Sequence, residues 1–145
     1  MQHQAALAVA GDASAAVPDA WASLKADVTL FRADDTVKEA LLALSGEEVG
    51  AADHLLCKHL MEEAARPIEE ALRFSRTAGC AKAYHEAAML KDEVYLYICI
   101  CTATQEMKRA DTLLERALYN AEDIDMDSVF MAIDAYRNSI LLTRS

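Results

Sequence analysis

Glycine and proline are scarce in this chain of 145 residues, four of one and two of the other. Tight turns depend on those residues, so a many-stranded β architecture lacks its material and helix is left as the main element. Cations are the minority charge, 14 Lys and Arg against 24 Asp and Glu, for a net charge of −10. They are scattered and build no basic run. An acidic surface repels phosphate backbones and anionic lipid, which argues against nucleic-acid or membrane partners. No apolar run approaches the roughly 18 residues a spanning helix needs. The first 20 residues hold a short apolar piece with no basic residue before it, unlike a secretory signal.

Catalytic signatures are missing as well: there is no G-x-S-x-G, no glycine-rich phosphate loop, no C-x-x-C and no H-E-x-x-H. No cofactor is expected. The four cysteines are Cys57, Cys80, Cys99 and Cys101. On a helix Cys99 and Cys101 face about 200° apart and cannot bridge one another. Reduced thiols in a cytoplasmic setting are the expectation.

What is present is alanine-rich and periodic, with 54% hydrophobic and 26% charged residues, the balance of a globular chain. Residues 1–16 lack a lasting period and read as a flexible leader. Residues 17–145 read as a single all-α domain that continues beyond the C-terminus, because the last helical pattern meets no stop signal. Pro18 suits a first helical turn, followed by a stripe of Trp21, Leu24, Val28 and Phe31, with the tryptophan as a packing anchor. Asp34 and Asp35 are placed to cap a second helix, and Ser45 with Glu48 fits a capping box for a third. Pro67 is read as a restart, since Ile68, Ala71, Leu72 and Phe74 open a fresh apolar face. Gly79 marks the next end. The longest candidate helix follows, with residues 105–107 as either a joint or a continuation. Ala110, Leu113, Leu114, Ala117 and Leu118 form the next face, and the last carries Val129, Phe130, Ile133, Tyr136, Ile140 and Leu141. Five to seven helices result, an antiparallel bundle grading into a short α-solenoid.

That last expectation comes from a local pattern. Ala132, Tyr136, Ser139, Ile140 and Leu142 follow the order small, aromatic, small, aliphatic pair, and Ala110, Leu114, Ala117 and Leu118 echo it. Residues 91–145 thereby resemble a degenerate tetratricopeptide repeat, although Val94 and Ile98 stand where the family uses Trp and a small residue. The resemblance implies a non-enzymatic scaffold that binds a partner helix or peptide in a groove beside the last two helices. Arg109, Arg116, Tyr136 and Arg137 would line its rim.

Two further classes compete with the adaptor reading. Asp123, Asp125, Asp127 and Asp134 occupy positions one, three, five and twelve of a window like an EF-hand loop, with Ser128 in place of the required glycine. A calcium-responsive module is the first alternative, and a capping role for Asp125 or Asp127 is its structural rival. A helical-bundle enzyme is the second, with a pocket lined by Tyr84, Tyr95, Tyr97, Met89 and Met107. A zinc site from His54, Cys57, His59, Cys80 and His85 lacks any ligand spacing to hold it together.

Overall fold

The computed structural model describes residues 10–119 and 122–144, with side chains from residue 20 onward. The expected leader lies outside the described residues as far as residue 9. The described chain is all-α: α1 (Ala10–Leu42), α2 (Ala51–Ala78), α3 (Ala81–Leu118) and α4 (Met126–Arg144), with no strand among the described residues.

Among the described residues four helices stand where five to seven were expected of the chain, and each merger has a physical reason. Asp34 caps nothing. Its carboxylate accepts from Lys38 at 2.9 Å, one turn on, inside an unbroken α1 that already starts at Ala10 and not at Pro18. Pro67 withholds one backbone donor, yet α2 runs on through it without a break. Ala64, Ile68 and Ala71 keep the buried face continuous past it. Residues 105–107 simply continue α3.

The true ends are capped by other residues than some of those expected. Gly50, not Ser45, precedes α2, and its amide donates to Asp53 Oδ2 at 2.8 Å, half of a capping box. Ser45 instead donates to the Leu42 carbonyl at 2.8 Å. Gly79 ends α2 at φ 66°, where only glycine is at ease. The Cys80 amide reaches back to Ser75 O at 2.9 Å and the Gly79 amide to Arg76 O at 3.2 Å, a Schellman closure.

Packing divides the chain into two units. The first joins residues 10–38 of α1, residues 62–78 of α2 and residues 81–94 of α3. Lys91 bridges Glu69 at 2.7 Å and Arg76 donates to the Tyr84 hydroxyl at 3.2 Å, so α2 and α3 run antiparallel here. Lys25 lies 6.0 Å from the Phe74 ring centroid, and with only a short connection between Leu42 and Ala51 this contact far from the turn makes α1 antiparallel to α2 as well. The core of this unit is mostly small: Ala22, Ala26, Thr29, Ala33 and Val37 of α1 meet Ala64, Ile68, Ala71, Leu72 and Ser75 of α2 and Ala83, Ala87, Leu90 and Val94 of α3. Steps of three and four carry the buried stripe along each helix, close to the spacing of a coiled-coil seam.

The second unit takes residues 39–61 and everything from residue 95 onward. Along α4, Ser128, Ala132, Ala135 and Ser139 are buried at the same alternating steps. Ala103, Ala110 and Ala117 are buried on α3, seven residues apart. The Ser139 hydroxyl donates to the Ala103 carbonyl at 3.0 Å, possible only where two helix backbones come close. Cys57 of α2 and Cys101 of α3 are wholly buried and hydrogen-bonded to each other; burial pushes the Cys101 thiol up to about 12. Such a thiol is a poor nucleophile and serves as a small apolar filler.

The expected packing stripes therefore point the wrong way. Trp21 is 61% exposed and Phe31 72%, with Leu24 and Val28 open beside them, while the small residues Ala22, Ala26, Thr29 and Ala33, one or two positions away, are buried. On α4, Phe130, Ile133, Ile140 and Leu141 are likewise exposed. Small side chains let helix axes approach, and a seam of alanine leaves no room for the large ones.

Candidate interaction site

In the first unit an open groove of about 490 Å³ lies between α1 and α3. Asp27, Leu30, Phe31 and Asp34 line it from α1; Glu86, Met89, Leu90 and Glu93 line it from α3. Each set sits at i, i+3, i+4 and i+7, which places it on one helix face. The order is the same on both helices: an acid, two large apolar residues, an acid. Both helices are antiparallel to α2 in this unit, so they run parallel to each other and the two sets match end for end. Leu90 is buried in the floor, Leu30 is half-buried, and Phe31 and Met89 form exposed apolar walls. Asp34 is shared with Lys38. Asp27, Glu86 and Glu93 have no ion-pair partner among the described residues. The pattern was readable in DVTLFRAD (residues 27–34) and EAAMLKDE (residues 86–93), had the acids flanking each apolar pair been followed instead of the apolar residues alone.

In the second unit a shallower groove of about 380 Å³ lies between α3 and α4, lined by Thr102, Glu106, Asn138, Leu141 and Leu142. None of the four residues expected at a partner rim lines it. Arg109 turns to Glu106 at 3.4 Å, Arg116 and Arg137 are exposed, and the Tyr136 hydroxyl donates to the Asp111 carboxylate, which pushes its own pKa up. Tyr136 thus ties α4 to α3.

The acidic joint before α4 is a cap. Asp125 immediately precedes the helix, accepting from the Ser128 amide at 3.3 Å and the Ser128 hydroxyl at 2.8 Å. Those two bonds hold its carboxyl below the ordinary range. No group of three His, Cys, Asp or Glu residues gathers into a cation site among the described residues, so Asp123, Asp125, Asp127 and Asp134 do not converge as a calcium loop requires. The same holds for the histidine and cysteine set; His54 Nδ1 lies 3.0 Å from the Gly50 carbonyl, and Cys57 faces Cys101.

A depressed native pKa gives Asp125 a stabilising contribution that is complete above the ordinary carboxyl value of 3.8 and fades as pH falls through the lowered one. Asp125→Ala is expected to lower Tm at neutral pH, whereas Asp127→Ala leaves it nearly unchanged. The gap between wild type and Asp125→Ala should close on acidification. Thermal melts followed by circular dichroism across the acid range check both; an equal effect of the two substitutions would refute the assignment.

Of the residues proposed for a small-molecule pocket, Tyr84, Tyr95, Met89 and Met107 are exposed and Tyr97 is half-buried. Comparison with family models, curated proteins and solved structures returns no match.

Proposed function

We propose that this protein is a non-enzymatic protein–protein interaction module that binds a partner helix in a helical groove. One observation supports this reading above the others: large apolar side chains, Trp21, Leu24, Val28 and Phe31 on α1 and Phe130, Ile133, Ile140 and Leu141 on α4, lie outward over a core built from alanine and serine. Surfaces of that kind lose water favourably when a partner covers them. A preformed groove takes an amphipathic helix through residues spaced by three and four, the periodicity of its own lining. The resemblance to a tetratricopeptide repeat belongs to the same reading. It would make α4 a second helix whose buried Ala132 and Ser139 permit close pairing, with solenoid-like stacking as the finer architecture.

Selection of displayed peptides against the full chain tests the proposal. Enrichment of amphipathic helices with apolar residues at i, i+3 or i+4 and i+7 is the expected result. Recovery of no sequence pattern above scrambled controls overturns it.

A further inference from the structure

The groove between α1 and α3 carries more information than apolar exposure, because its chemistry specifies an occupant. Its floor and walls are Leu30, Phe31, Met89 and Leu90, and each helix contributes a carboxylate at each end of the groove: Asp27 and Glu86 at one end, Asp34 and Glu93 at the other. The acids of each pair are seven residues apart, about 10 Å along a helix axis. Four carboxylates around an open apolar trough repel one another, and Lys38 offsets only Asp34. Lys91, which bridges between helices beside the groove, is committed to Glu69 on α2.

We infer that this groove binds a basic amphipathic helix of another protein, two turns of apolar side chains on Leu30, Phe31, Met89 and Leu90 with Lys or Arg near each end answering Asp27, Glu86, Asp34 and Glu93. This rests on the interaction-module reading and specifies the partner's chemistry. A helix laid there would run beside α1 and α3 and turn the three-helix unit into a four-helix bundle. Its apolar face covers Phe31 and Met89, and its cations satisfy carboxylates at the rim, where charge governs partner choice and association rate. A second copy of this chain is the wrong occupant. At net charge −10 it brings like charge to an acidic rim, and that repulsion opposes the one exposed run of matching order it could offer, Arg137, Ile140, Leu141 and Arg144 of α4.

The test uses the full chain and two synthetic helical peptides with the same leucine face, one flanked by lysines and the other by glutamates, read by fluorescence anisotropy at low and physiological salt. The lysine peptide is expected to bind at least about tenfold more tightly, with the preference shrinking as salt rises. Asp27→Asn with Glu86→Gln and Glu93→Gln should abolish that preference. A control with the same charge change elsewhere, Glu47→Gln with Glu48→Gln and Asp123→Asn, should preserve it. Phe31→Ala should weaken the lysine peptide about tenfold while leaving Tm unchanged, because the side chain already faces water. Equal affinity for the two peptides overturns the inference and leaves the interaction module standing. An equal loss from the control triple variant also overturns it, since general attraction to an acidic chain would then explain binding. Failure of both peptides overturns it too, and the peptide selection decides separately whether the chain binds helices at all.

Discussion

Ile68→Ala is expected to destabilise the protein by about 2–5 kcal/mol, the range for removing a fully enclosed aliphatic side chain. Ile68 is 1% exposed, and with Met61 it is one of the two largest side chains sealed completely from solvent. The reasoning is one of share. A core filled mainly by alanine draws little apolar area from each residue, so a few larger side chains carry a disproportionate part of the burial. The alanine neighbours are already small and have no flexible ends to swing into the space left behind. The cavity should therefore persist instead of collapsing, which places the loss toward the upper half of the range. At roughly 2–4 °C per kcal/mol for a chain near this size, a fall in Tm on the order of 10 °C follows, measurable by calorimetry. Leu55→Ala is the matched control, since Leu55 is also aliphatic, lies on the same helix and is 58% exposed. A loss from Leu55→Ala equal to that from Ile68→Ala would show that the inner face of α2 has been misassigned.

Much of the local structure was legible in the sequence, and the residues show why. The deficit of glycine and proline pointed to helix throughout, and Gly79 stood where a left-handed closing residue was needed. Asp125 or Asp127 was the expected cap of the last helix, and Asp125 fills that role. Helix number was less legible because stop signals are weak evidence against continuous packing. Asp34, Asp35 and Pro67 all resemble boundaries, yet the buried faces run past each of them without a break. A helix continues where tertiary contacts outweigh one missing hydrogen bond.

Orientation was the larger loss, and it governed the site. An alanine-rich amphipathic helix carries two periodic stripes, one of small residues and one of large. Ranking residues by apolar area selects the large stripe as core, as it did for Trp21 through Phe31. The feature that discriminates is persistence. On α1 the small stripe, Ala22, Ala26, Thr29, Ala33, Val37 and Ala40, keeps to steps of three and four from residue 22 to residue 40, whereas the large stripe stops at Phe31. A seam must hold its register along the full contact, and an exposed patch has no such obligation. With the faces inverted, Phe31 and Met89 of the acid-flanked apolar pairs on α1 and α3 face solvent, and Arg116 and Arg137 stay exposed as well.

That inversion makes the second large prediction a direct contest between the two stripes. Ala33 is fully buried, and Phe31, two residues before it, is 72% exposed. Ala33→Leu adds three carbons where helix backbones approach closely, and overpacking of this kind costs about 1–3 kcal/mol, occasionally more. The upper end applies here because relief requires whole helices to separate, which would also loosen the neighbouring contacts of Ala26 and Val37 along the same seam. Phe31→Ala removes a far larger side chain from a surface already wet, and its cost to stability should fall within about 0.5 kcal/mol. The ordering is the opposite of what side-chain size alone would give. Urea unfolding of the two variants reads it: the midpoint falls for Ala33→Leu and holds for Phe31→Ala, with the slope unchanged in both if only native packing is altered. Were Phe31→Ala the more damaging substitution, the large stripe would be the core of α1, and the acidic groove built on Phe31 would lose its outer wall.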